Sequence, residues 1–523
     1  MPKVKVRRRP SRLLLVFVVA LVFAGLFGIN KWRIGQNSPC RNCNIILVSV
    51  DTLRADDLPC YGYLRNTAPN LCRFADHNIL FTNTYSQSTI TLDSHFSIFT
   101  SLYPSVHKVL NMFKDELSPE IKTLTEVLKA RGYRTIYNGR VDDPMLPLQK
   151  GLGRGFDVTL NIGSSEDPWK EGINRFLSDV NKGSPTFLFL HTYQVHDPYL
   201  VGHKGSYVFT DKTYPSIITT EEDFKRFTSE IPPLTEQYLR DLFSIDARFN
   251  GQEKNTFLQR LFGASSMTQA QAIFEELPAA DKTEIRIDRY MSRIHQDNSA
   301  EVTFLRALYD EKIYQLDQQF KSFWTLLNNA ELMKKTVVII TGDHGEEFLE
   351  NGTWGHGSNI YNSGTHVPLI MHIPGVNAAR IEDLTQSIDI MPTLLRLVGL
   401  SPPTYVQGIS LLDLIEQKKN PQKNTYIMSE HRGGFIRSIR DAQWKLYIND
   451  PAFVDRSNEL YDIVHDPLEQ NNVIDAHPQE AARLTAALGV IVRKQPSFRY
   501  THTEFPDWIN KKIRDRLIKQ GYF

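Results

Sequence analysis

The sequence predicts an α/β fold, a mostly parallel sheet sandwiched by helices, with a smaller C-terminal subdomain containing an antiparallel sheet. Three observations carry this expectation. Short β-branched runs alternate with helical stretches, those runs are apolar throughout, and polar residues gather at their carboxyl ends. A strand with one face in water alternates apolar and polar residues, whereas one buried on both faces reads as a continuous apolar run, as in parallel sheets covered by helices.

Taken in order, the strand candidates are 44–50 (NIILVSV), 135–137, 186–190 (TFLFL), 336–341 (TVVIIT) and 367–372 (VPLIMH). Residues 212–300 break the rhythm; polar and rich in Glu, Gln and Lys, they are expected to form an inserted helical lobe beside the site. Residues 309–327 place apolar side chains at spacings of three and four, a helix returning to the sheet. A Pro-marked linker at 401–405 and a polar stretch at 416–424 separate the main unit, 44–400, from a subdomain at 425–490. There 434–439 and 444–448 read as antiparallel strands and a helix starts at Gln479. The tail, 491–523, includes a basic amphipathic helix expected to pack on its own domain, with an anionic bilayer as the alternative.

The net charge of +1 is an average over unequal parts. Six bases and no acid occupy residues 1–12, which leaves 54 bases against 59 acids elsewhere, about −5. No bulk basic surface remains for a nucleic acid. Residues 13–29 (LLLVFVVALVFAGLFGI) are uncharged and span roughly 25 Å as a helix, near the lower limit for a bilayer core of about 30 Å. Basic residues before an apolar run hold that end in the cytoplasm. A single-pass signal-anchor is therefore expected, joined by a linker at 30–43 to a non-cytoplasmic catalytic domain, with secretion after cleavage as the alternative. The four cysteines allow three pairings; Cys40 and Cys43 run into a strand rather than opening a helix, so a structural role is expected. No sequence signal bears on oligomeric state.

Chemistry concentrates at the strand ends. Asp51 ends the first strand, His191 and His196 follow TFLFL, and Asp343 and His344 follow TVVIIT. In open α/β sheets ligands bind at the carboxyl ends of strands, so these residues can converge from distant positions. Carboxylates and imidazoles gathered there suggest a metal. Thr91 lies just ahead of a helix read from Ser94, where backbone N–H groups favour an anion.

The segments NIILVSVDTLRADDLPCYG, TAPNLCRFA, LDSHFSIFTSLYPSVH and VIITGDHGEEFLENGTWGHG, in this order, resemble the sulfatase branch of the alkaline phosphatase superfamily. WKLY and ELYDIVHDPLEQNNV resemble its C-terminal subdomain. The resemblance implies an alkaline-phosphatase-like sheet, a divalent metal at its carboxyl edge and cleavage or transfer of an anionic phosphate or sulfate ester. It assigns Asp51, Asp343 and His344 as metal ligands and Thr91 as metal-bound nucleophile. It assigns His196 and His356 as further catalytic groups, with Arg140, His95 and His191 toward substrate. His191 has two alternatives, a second metal or the core.

The departures matter. Thr52 stands where the family has a second Asp, His356 where many members have Lys, and Thr91-Leu92-Asp93-Ser94-His95 replaces the Cys or Ser signature whose first residue becomes formylglycine. Oxidation of Thr would give a ketone, so no formylglycine is expected. A Thr ester must be cleared by attack at phosphorus or sulfur. The expected activity is hydrolysis of phosphate mono- or diesters, or phosphotransfer, through Thr91. The alternatives are a sulfuric ester hydrolase without formylglycine and a non-catalytic metal-binding member of the fold. Imidazole ligation shifts the expected ion toward Zn²⁺ or Mn²⁺, with Ca²⁺ or Mg²⁺ as alternatives.

Overall fold

The computed structural model describes residues 40–110, 115–141, 143, 145–162, 169–197, 199, 208–210, 299–451 and 456–500. The apolar run at 13–29, nearly all of the expected lobe at 212–300 and the amphipathic segment at 508–521 lie outside the described residues. Among the described residues no helix is long and apolar enough to cross a membrane.

The main sheet contains β1 (Asn44–Val50), β2 (Ile79–Phe81), β3 (Arg134–Gly139), β4 (Val158–Asn161), β5 (Thr186–Thr192), β6 (Thr336–Gly342), β7 (Leu369–His372) and β8 (Ala379–Ile381). Their spatial order is β8-β2-β7-β6-β1-β5-β3-β4. β1 is central and pairs in parallel with β5 and β6. Its apolar continuity has the expected cause. Ile45 and Leu47 enter one buried layer with Phe187, Phe189, Val337 and Ile339, while Ile46, Val48 and Val50 enter the other with Leu188, Leu190, Val338 and Ile340.

Helices α1 (Pro69–Asp76), α2 (Thr91–Thr100), α3 (Leu124–Ala130), α4 (Lys170–Val180), α5 (Ser299–Asn329) and α6 (Ile390–Leu397) cover the sheet. α1, α4 and α5 bury their apolar residues in one layer and α2, α3 and α6 in the other.

Two local expectations are corrected. The run at 367–372 begins as a strand at Leu369 and pairs antiparallel with both β6 and β2, because burial on both faces produces the same apolar run in either direction. The helix read from Ser94 begins three residues earlier, so Thr91 is its first residue rather than lying ahead of it.

A four-stranded antiparallel sheet follows: β9 (Ile427–His431), β10 (Ile436–Arg440), β11 (Trp444–Asn449) and β12 (Glu459–Asp462), covered by α7 (Pro478–Arg493). Met428, Ile439, Leu446, Leu484 and Leu488 continue the apolar layer that contains Phe96 and Leu394, so this sheet shares a core with the main unit. Disulfides join Cys40 to Cys43 and Cys60 to Cys72.

Phe189 sits at the centre of this packing, against Phe99, Tyr137 and His95. Phe189→Ala should cost about 3–5 kcal/mol. Urea denaturation should show a lower midpoint with an unchanged slope.

Candidate active site

Strand register builds the site. Val50 pairs with Thr192 on one side and Gly342 on the other, so β1, β5 and β6 end at one level and deliver Asp51, His191 and Asp343 there. The Asp51 N–H donates to Thr192 O at 3.0 Å, extending the ladder by one bond. Next, Thr52 adopts φ +55°, a costly conformation for a β-branched residue, and its N–H donates to Asp343 Oδ1 at 3.2 Å.

Asp51, Asp343 and His344 each offer a ligand atom within 4.8 Å of the others, all buried. His344 Nδ1–H donates to Gly345 O at 3.0 Å, which turns Nε2 toward the carboxylates. Gly345 is needed here, since a Cβ would lie 2.1 Å from Ser363 O. Burial and the charge of Asp51 push Asp343 up to about 6. Burial would also raise Asp51, but hydrogen bonding from His191 and the charges of His196 and His344 hold it well below the usual carboxylate range. Burial lowers His344 to about 4. The residues fit a divalent ion: Asp51 Oδ1 is buried without a hydrogen-bond partner, and two adjacent carboxylates in low dielectric call for a cation between them.

Thr91 opens α2 after Ile90 in extended conformation, and its hydroxyl donates to Asp51 Oδ2 at 3.2 Å, with His344 Nε2 also at 3.2 Å. One turn on, Ser94 Oγ donates to Asp343 Oδ2 at 3.3 Å. His95 does not reach the substrate side. Its ring is fully buried, Nδ1–H donates to Thr91 O at 2.8 Å, and Nε2 accepts from Ser49 Oγ at 3.0 Å. Both nitrogens being taken, the substrate expectation for His95 gives way to support of Thr91 and Asp343. His191 is likewise buried in β5, with Nε2 3.5 Å from Asp51 Oδ2; it stands behind this carboxylate rather than before an ester.

His196 and His356 pack edge to face with ring centroids 4.8 Å apart, and the His356 ring centroid lies 4.8 Å from that of His344. Each has a carboxylate at Nδ1: Asp197 Oδ1 at 2.6 Å for His196 and Glu346 Oε1 at 3.0 Å for His356. Burial would lower both imidazoles, but these carboxylates outweigh it, raising His196 well above its ordinary value and His356 to about 9. Arg140 is exposed just past β3, its guanidinium 5.6 Å from the Tyr193 ring centroid, and Tyr193 packs against His196.

Sequence reasoning missed Arg54, Asp197, Glu346 and Glu347. Arg54 is buried among Asp56, Asp57 and Glu350 and donates to Glu346 O at 2.8 Å, tying the loop after β1 to the loop after β6. The charged run Arg54-Ala55-Asp56-Asp57, directly after a strand end, was the available signal.

A family model described as Sulfatase matches residues 43–400, and one described as N-sulphoglucosamine sulphohydrolase, C-terminal, matches residues 352–493. The chain belongs to the sulfatase family. It is therefore one of a family of metal-dependent ester hydrolases, with the alkaline-phosphatase-like fold. Arylsulfatase K of Gallus gallus is 23% identical over 86% of this chain and 82% of that relative. Arylsulfatase K of Mus musculus is 31% identical over 206 residues, spanning 37% of this chain and 36% of the relative's length. Among solved structures, a protein in complex with its substrate D-glucosamine-2-N,6-O-disulfate aligns over 86% of this chain and 98% of its own, with TM-score 0.60 and 17% identity. The phosphonate monoester hydrolase of Agrobacterium radiobacter covers 86% and 96%, with TM-score 0.60 and 18% identity.

Asp51→Asn and Asp343→Asn should each reduce bound divalent metal to a small fraction of wild type by plasma emission, with the circular dichroism spectrum unchanged. A second expectation concerns Glu347, which burial pushes up to about 8 although Asn359 donates to it. Between its ordinary value of 4.5 and about 8 the unfolded chain loses this proton while the folded chain keeps it. The Glu347 contribution to stability is thus present below the lower value and lost as pH rises to the upper. Urea midpoints at pH 5 and pH 8 should differ less in Glu347→Gln than in wild type.

Proposed function

We propose that this chain hydrolyses sulfate esters, with Thr91 acting where the family signature has the formylglycine precursor. The observation that carries the reading is the Thr91 hydroxyl, 3.2 Å from both Asp51 Oδ2 and His344 Nε2 at the first residue of a buried helix. Family membership and the arylsulfatase K relatives support sulfate ahead of the phosphate esters and phosphotransfer expected from the signature alone.

A divalent ion held by Asp51, Asp343 and His344 would lower the pKa of a neighbouring hydroxyl and offset charge on an ester oxygen. Asp51 Oδ2 orients the Thr91 proton away from the incoming ester. Thr91 Oγ1 attacks sulfur in line as its proton passes to Asp51 Oδ2, the bond from sulfur to the alcohol oxygen breaks, and an imidazolium, His196 or His356, donates a proton to the departing alcohol. Water, giving a proton to the imidazole just vacated, then attacks the same sulfur, the bond to Oγ1 breaks, and Asp51 returns the proton to Oγ1 as sulfate leaves. The N–H groups at the start of α2 and the two imidazolium rings offset charge on the remaining oxygens.

A second reading, hydrolysis of phosphonate or phosphate esters through the same Thr91, is favoured by the residue itself. A hydroxyl nucleophile suits attack on phosphorus and, unlike a formylglycine diol, provides no hemiacetal to collapse.

Metal-loaded protein should turn over 4-nitrophenyl sulfate faster than 4-nitrophenyl phosphate, its diester or the phenylphosphonate ester. Thr91→Ala should lower kcat by at least about 10³-fold and remove any covalent adduct from the intact mass spectrum. Wild-type turnover by Thr91→Ala would discard Thr91 as nucleophile, and phosphonate turnover without sulfate turnover would select the second reading.

A further inference from the structure

We propose that Glu346 is a positioning residue for His356, fixing the ring through Nδ1 so that Nε2 is presented to the oxygens of the bound ester; this rests on the reading of the site given above. His356 lies between Gly355 and Gly357, both at positive φ, +81° and +72°. Its neighbours have no side chains to fix the ring, and Gly355 is held only through its backbone, in an antiparallel pair with Glu347 that also keeps His356 beside Glu346. The ring nevertheless stands in a defined place, between His344 and His196. The contact that can hold it is the 3.0 Å hydrogen bond from Nδ1–H to Glu346 Oε1.

Glu346 is suited to act as the fixed partner. It is fully buried, and its backbone carbonyl accepts from Arg54, itself buried and paired with Asp56, Asp57 and Glu350. The restraint therefore runs from a rigid ion-pair cluster through Glu346 to an imidazole on a glycine-flanked loop. With Nδ1 engaged, Nε2 is the nitrogen left for an ester, and the His356 side chain retains 18% exposure to reach one. His196 is also held through Nδ1, by the Asp197 backbone carbonyl at 2.7 Å with the Asp197 carboxylate beside it. In metal enzymes an outer carboxylate that orients a ligand imidazole typically carries 10–100-fold of affinity or activity.

Two substitutions separate reach from charge. Glu346→Gln keeps an acceptor at the same distance, whereas Glu346→Asp keeps the charge but withdraws the acceptor by one methylene. Binding of inorganic sulfate to the metal-loaded full chain is measured by calorimetry, with metal content checked in each variant. His356→Ala and Glu346→Asp should each weaken sulfate by about tenfold, Glu346→Gln should stay within about threefold of wild type, and Glu346→Asp in the His356→Ala background should add nothing. Wild-type affinity in Glu346→Asp, an equal loss in Glu346→Gln, or an additive loss in the double variant overturns the assignment. Sulfate binding that depends on this pair without turnover of any sulfate ester overturns the functional reading and leaves the pair standing. Ester turnover with sulfate affinity indifferent to Glu346 overturns the pair alone.

Discussion

Two carboxylates, Asp51 and Asp343, are held side by side with no exposure to water, and the rest of the site is arranged around that unfavourable fact. Removing one carboxylate from water is costly; removing two adjacent ones is sustainable only with donors and positive charge directed at them. The surrounding geometry supplies the donors. The Thr52 and His344 N–H groups and the Ser94 hydroxyl donate to Asp343, while the Thr91 hydroxyl donates to Asp51. Parallel register fixes the level at which the two acids emerge, and the buried end of α2 brings Thr91 to that level.

Arg54 performs a related task on the other side of the loops. It collects Asp56, Asp57 and Glu350, and Arg306 of α5 joins Asp57 and Glu350. Segments nearly 300 positions apart are thereby tied into one cluster of two guanidinium groups and three carboxyl groups. Such a buried cluster contributes little net stability compared with apolar packing. What it does supply is a direct link between the loop after β1 and the loop after β6.

The central strand was legible to the residue, 44–50, because burial on both faces leaves an unmistakable apolar run. The direction of the run near 369–372 was not, since pairing direction leaves no trace in composition once both faces are covered. Asp51, Asp343 and His344 could be read because a polar residue ending an apolar strand has one obvious place to go. Their assignment as ligands, and that of Thr91 as nucleophile, came from the family resemblance. Glu346 and Asp197 escaped notice because an acid beside another acid or a proline in a loop reads as solvated charge; only folding turns each toward an imidazole. The start of α2 was read late because Thr91 and Asp93 are weak helix formers, and burial of the whole helix overrides that preference.

The N–H of Cys40 is bonded to the carbonyl of Leu397 at the end of α6, and the first strand begins four residues later. Seven residues of extended chain then run roughly 23 Å before reaching Asp51. The first described residues and the candidate site therefore lie on opposite edges of the sheet, the full length of its central strand apart.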